Sequence, residues 1–278
     1  MRFLLVILGA LFLTCLPAAA FDPFVGPAPI AIFIQTDPWS MVIGSDTPRV
    51  AVYENGEVIF VKKVGGDLAY HHVRLAKEAL EKLRGEIKPL LAVKNLEPWY
   101  NLAPNITDQP QSMFYLRDGD REVATCVYGL MAAGTKLPAY TQFPGGPKAT
   151  APPDALLKLH ERLCHLDFPA SIEWRPDYLE VMLWDYSYAP ESSIHWPKEW
   201  PSLDSERALK RGDSYSVFLD GSLLPKLREF LSTRNEKGAV EVAGKKLAAS
   251  YRFVFPSEPV WSKAFADAAR RASAKGSE

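Results

Sequence analysis

Potential metal ligands crowd together in the segment His160-Glu161-Arg162-Leu163-Cys164-His165. His160 and Cys164 stand four apart, which on a helix puts them on one face, where they could offer two ligands to Zn²⁺. No third and fourth ligand follow at a recognisable spacing, and both residues border a stripe formed by Leu156, Leu159 and Leu163. A partly buried structural role is therefore the competing reading. The segment also departs from the His-Glu-x-x-His pattern, in which two histidines four apart flank the general base of a zinc protease. His160, Cys164 and His165 stand as the only metal-ligand candidates, and no metal or other cofactor is expected.

His71 and His72 fall in a strand-like run, so their side chains must point to opposite faces and cannot act together. His195 differs, since it sits in a Pro- and Trp-rich segment where an exposed imidazole could serve as a general acid or base. No Gly-x-Ser-x-Gly nucleophile turn accompanies it. Glu173, Asp177, Glu180 and Asp185 crowd an aromatic region, as carboxylates of sugar-cleaving sites do. That chemistry needs two carboxyls about 5.5 Å or about 6.5–9.5 Å apart across a groove. Glu180 and Asp185, five apart in a strand, face opposite ways. Gly65-Gly66 and Gly145-Gly146 lack the Lys-Ser/Thr pair and helix start of a phosphate-binding loop.

Trp174 to Trp200 is the most distinctive stretch. It holds Trp174, Tyr178, Trp184, Tyr186, Tyr188, Trp196 and Trp200, and ends in two Trp-Pro pairs. Strand alternation puts Tyr178, Glu180, Met182, Trp184 and Tyr186 on one face as an aromatic stripe. Aromatic platforms with a polar edge bind protein surfaces and sugar rings. Two readings stand: a binding region made of Trp184, Tyr186, Tyr188, Trp196 and Trp200, or a core stripe with a rigid loop clamped over it.

The elements that must position these residues are legible from turn chemistry and apolar spacing. Arg49 to Lys63 alternates on both sides of Asn55-Gly56, a β-hairpin signal because such turns favour positive φ at both central residues. Tyr70 to Leu75 reads as a strand. Ala76, Leu80, Leu83 and Ile87 then recur at helical spacing, ending near Gly85 to Pro89. Gln111 to Leu130 is a second hairpin, followed after a Gly/Pro-rich loop by a helix from 153 to 166. Tyr178 to Tyr186 and Ser214 to Leu219 are strands. Ser222 is placed to cap the helix after them, Ala239 to Phe255 is a hairpin turning at Ala243-Gly244, and a last helix starts near Pro259. Strand pairs followed by a helix thus recur, which predicts an α+β fold of repeated antiparallel hairpins, each followed by an amphipathic helix, with the helices on one face of a mainly antiparallel sheet. The expected division is a Pro-rich arm over 21–48, a hairpin/helix unit over 49–140 and an α+β unit over 150–278, which could form one domain with the second.

The ends of the chain and its composition bound the function. Arg2, an apolar run from Phe3 to Leu16 and the small residues Ala18 to Ala20 follow the layout of a secretory signal cut before Phe21. The run is shorter than the ~20 residues a spanning helix needs. The expected product is exported to the periplasm or the extracellular space, with no integral membrane segment after cleavage. Basic and acidic residues number 32 and 33, with no basic stripe, which argues against nucleic acid as a partner. Cys126 and Cys164 would be permitted to pair in an oxidising compartment, a bridge worth ~2–4 kcal/mol; buried thiols are the alternative. With no catalytic constellation, the sequence points to a non-enzymatic module that binds an extracytoplasmic protein or glycan through residues 174–200. The alternative is a secreted hydrolase using His195 or a nearby carboxylate.

Overall fold

The segment Pro-Ile-Ala-Ile-Phe-Ile-Gln is apolar at nearly every position, and a strand of that kind is stable only when both of its faces are covered. It forms β1 (Pro29–Gln35) in the middle of an eight-stranded sheet. The computed structural model describes residues 20–39, 46–130 and 149–275. Across these the fold is mixed α/β and mostly sheet, with two sheets and four helices. The first sheet adds β2 (Val50–Tyr53), β3 (Glu57–Val64), β4 (Asp67–Arg74), β5 (Trp99–Asn101), β6 (Gln111–Asp118), β7 (Arg121–Tyr128) and β8 (Ile172–Glu173), in the order β5-β7-β6-β1-β2-β3-β4-β8. The second contains β9 (Tyr178–Asp185), β10 (Glu191–His195), β11 (Ala208–Arg211), β12 (Ser214–Asp220), β13 (Gly238–Val242) and β14 (Lys245–Phe253), in the order β10-β13-β14-β9-β12-β11. Neighbours are antiparallel except β5 with β7 and β10 with β13.

The helices do not share one face, which corrects the expected layering. On one side of the first sheet, α1 (Lys77–Leu91) and α2 (Asp154–Cys164) bring Leu80, Leu83, Ile87, Leu156, Leu159 and Leu163 onto Phe33, Phe60 and Phe114. On the other side, α4 (Glu258–Lys275) sets Trp261, Phe265 and Ala268 against Ile32, Ile34, Tyr53 and Tyr115. The side chains of β1 alternate between these two cores, which is why it is apolar throughout. In the second sheet Leu179, Val181, Leu183, Val217, Leu219, Val240, Val242 and Leu247 pack with Leu227 of α3 (Leu224–Ser232). The expected recurrence of hairpin plus helix does not organise this architecture. The helix α2 and strand β8 belong with the first sheet, and the chain enters the second sheet only after Trp174.

Turn chemistry explains the hairpins, with two differences from expectation. At Glu54-Asn55-Gly56 only Gly56 has positive φ, +86°. Its N–H donates to Tyr53 O at 3.0 Å, the three-residue loop with glycine in the left-handed position. A Cβ on Gly56 would also come within 2.7 Å of Leu75 O. At Ala243-Gly244 both central residues are left-handed, with φ +48° and +75°, as a two-residue type I′ turn requires. Ser222 does not cap α3. It lies inside a 3₁₀ turn, Gly221–Leu223, that leads into the helix without a side-chain cap.

Cys126 and Cys164 form no disulfide. Cys126 shares its parity on β7 with Ala124, which packs beneath α4, whereas Cys164 ends α2 on the opposite face. The first sheet stands between the thiols. Burial pushes the Cys126 thiol up to about 12, which keeps it protonated and inert. The leader-like residues 1–19 lie outside the described residues, and no helix among the described residues is long and apolar enough to cross a membrane.

Candidate functional site

In β9, Leu179, Val181 and Leu183 turn toward α3, so Glu180, Met182 and Trp184 must turn the other way. Strand register extends this second face in rows. Phe218, Glu180 and Arg252 are opposite one another, as are Leu209, Ser216, Met182 and Ser250. Trp184 lies opposite Ala248, and Lys246, Glu241 and His195 form the last row. Glu258 at the start of α4 reaches only the lowest row of this face, at Arg252; above that row none of the four described helices packs, since α1, α2 and the apolar side of α4 serve the first sheet and α3 the opposite side of the second.

The foot of this face is closed. Arg252 is buried between Glu180 and Glu258, donating to both Glu258 oxygens at 2.5 and 3.0 Å and pairing with Glu180. Ser216 Oγ donates to Glu180 Oε1 at 2.5 Å and accepts from Arg211 Nε at 2.9 Å. Burial opposes the Arg252 charge, yet Glu258 and Glu180 more than offset it and its pKa is raised. Two guanidiniums thus neutralise two carboxylates, as buried ions must be. Phe21 and Phe24 pack on Phe218 with ring centroids 6.0 and 5.7 Å away, and Arg207 sits over Phe21.

Above that foot the face is open. Met182, Trp184, Ala248 and Ser250 are half-buried, and Lys246 and His195 are exposed at the rim. The His195 Nδ1 lies 3.8 Å from Glu241 Oε2 with the imidazole 80% exposed, a loose pairing in water rather than an oriented catalytic dyad. Tyr186 and Tyr188 pack edge to face at 5.0 Å just after β9, with Tyr188 exposed.

The aromatic region read from the sequence is therefore divided by the sheet. Trp196 and Trp200 are buried, in edge contact with each other at 5.0 Å and with Phe230 at 5.9 and 5.3 Å, inside the α3 core. The Trp196 indole N–H donates to Pro201 O at 3.0 Å. These two are core residues, and Trp184, Tyr186, Tyr188 and His195 remain accessible. Trp174 is buried between the sheets. Comparison with protein-family models, curated proteins and solved structures finds no match.

The other candidates have structural partners. His160 is buried beneath Phe33 and Phe114 with its Nε2 3.4 Å from Cys164 Sγ, while His165 Nδ1 turns back to Glu161 O at 2.8 Å. Among the described residues no three His, Cys, Asp or Glu side chains gather as a metal site would require. Glu180 is committed to Arg252, and Asp185 holds the Ser187 turn. The residues sequence reasoning missed on the open face are Lys246, Ala248 and Ser250. Their signal was available: β14 alternates Leu247, Ala249 and Tyr251 with Lys246, Ala248, Ser250 and Arg252, the period of a half-buried strand.

Proposed function

We propose that this chain is an exported, non-enzymatic module that binds a glycan on the open face of its second sheet. The observation that carries the reading is the half-buried Trp184 on the part of the sheet face above the Arg252 row, where no described helix packs, with Ala248 and Ser250 beside it and Lys246, Glu241 and His195 along one edge. An indole ring offers its face to the C–H face of a pyranose, and the fringe of hydroxyl and charged groups suits sugar hydroxyls. An open face, unlike a deep pocket, admits a polymer. Export is part of the proposal, supported by the leader pattern. Catalysis by His195 is the weaker alternative, because that imidazole is exposed and lacks a nucleophile partner. Met182 and exposed Leu209, in one row, favour a protein surface as the second reading.

The chain beginning at Phe21 is expected to co-sediment with at least one of insoluble peptidoglycan, chitin or cellulose. Trp184→Ala should abolish this while lowering the melting temperature by no more than about 2 °C, as for a single accessible side chain. The reading fails if the wild-type chain stays in the supernatant with all three, or if the variant still sediments.

A further inference from the structure

A cavity of about 200 Å³ lies where the two sheets meet, lined by Glu57, His72, Trp174, Arg175, Asp177 and Tyr178 together with residues of 23–25 and 254–256. We propose that it binds one sugar ring, or a neutral polyhydroxylated molecule of that size. The proposal does not depend on the open-face reading.

The parts come from five separate segments. β3 supplies Glu57 and β4 supplies His72, whose Nδ1 is 3.2 Å from Glu57 Oε1. That contact fixes the ring and, when Nδ1 carries the proton given to Glu57, leaves Nε2 as an acceptor. The stretch from the end of β8 into β9 supplies Trp174, Arg175, Asp177 and Tyr178. Trp174 is buried and gives an apolar wall, while Arg175 and Asp177 are exposed and their side chains make no hydrogen bond or ion pair with any described residue. The residues that line the cavity thus carry a donor-only guanidinium, carboxylate and imidazole acceptors and a phenol hydroxyl. Sugar hydroxyls both donate and accept, so a ring rich in them can satisfy this mixture at once. A ligand of one charge would pair with one of Arg175 and Asp177 and be repelled by the like charge of the other. The volume is below the ~300 Å³ at which sites for drug-sized ligands begin, which limits the occupant to about one ring, and a junction between packed units is where such sites concentrate.

The test is thermal unfolding of the chain beginning at Phe21 with glucose, galactose or N-acetylglucosamine at saturating concentration, with glycine and inorganic phosphate as comparisons. At least one sugar should raise the melting temperature by about 2 °C or more. Arg175→Ala and Asp177→Asn should each abolish that rise without changing the melting temperature of the unliganded chain, since neither side chain has a partner to lose. Trp184→Ala should keep it, which separates this cavity from the open face. The assignment is overturned if no sugar shifts the transition, if the shift survives in both cavity variants, if Trp184→Ala removes it, or if glycine or phosphate produces it equally.

Discussion

His160 shows what a chemically suggestive residue becomes once its surroundings are fixed. Its imidazole is 3% exposed, edge-on to Phe33 at 5.4 Å and Phe114 at 6.1 Å. Burial first, then the positive charges of Arg49 and His165, lower its pKa from 6.5 to about 4. A histidine depressed in the folded chain binds its proton more readily when unfolded, so it penalises folding at acid pH. The His160 contribution to stability is complete above pH 6.5 and is lost as pH falls toward about 4. The loss is bounded at roughly 3.5 kcal/mol, from roughly 1.4 kcal/mol per pH unit. Urea denaturation from pH 7 to pH 4 should therefore show a steeper decline in the wild-type chain than in His160→Leu. Parallel declines would mean that the imidazole is protonated in the folded state. The sequence favoured a structural role over a metal ligand, through the leucine stripe and the missing further ligands, but could not show what surrounds the ring, because Phe33 and Phe114 come from β1 and β6, over 45 residues away. Trp196 and Trp200 were ambiguous for the same reason: Trp-Pro pairs describe a rigid loop, and only the arrival of Phe230 makes that loop core.

At the scale of elements, what could be read in the sequence was whatever local chemistry decides. The hairpins β2–β3, β6–β7 and β13–β14 follow from their turn residues and alternation, and α1 and α2 from leucines at helical spacing. The outward set Glu180, Met182 and Trp184 was legible too, because period two is a property of a single strand. The parallel partners β5 with β7 and β10 with β13 were not, since a pairing between distant segments leaves no local mark. The central place of β1 could have been inferred from its unbroken apolar run, had that run been weighed more heavily than the prolines around it. One turn retains a local conflict. Ala243 holds φ +48° in the tight turn between β13 and β14, and left-handed backbone costs an L-residue with a Cβ roughly 1–2 kcal/mol, a cost that asparagine largely escapes. Ala243 is exposed, so substitution disturbs no packing. Ala243→Asn should raise the melting temperature by about 2–4 °C, measured by thermal unfolding followed by circular dichroism. A fall would show that the turn does not hold this conformation in solution.

The whole molecule is held together by an aromatic junction rather than by a continuous sheet. Trp174 is 7% exposed and lies 5.8 Å from Tyr70 of β4, 6.0 Å from Phe253 of β14 and 4.8 Å from Phe255. Its backbone N–H donates to Tyr70 O at 2.8 Å, and Val254 N–H donates to Tyr178 O at 3.1 Å. The chain crosses from the first sheet to the second at Trp174 and returns through Phe255 to α4, so both crossings pass through one cluster. Each sheet otherwise has its own apolar core. Cooperative unfolding of the two should therefore depend on this cluster, because removing a buried tryptophan costs about 3–5 kcal/mol in lost contacts and cavity. The wild-type chain should unfold in one calorimetric transition. Trp174→Ala should separate it into two, the sheets no longer sharing enough buried surface to melt together, while Trp184→Ala on the open face should leave one. A single sharp transition in Trp174→Ala, shifted but not split, would show that neither sheet is stable without the other and that coupling runs through α4 and the N-terminal segment instead.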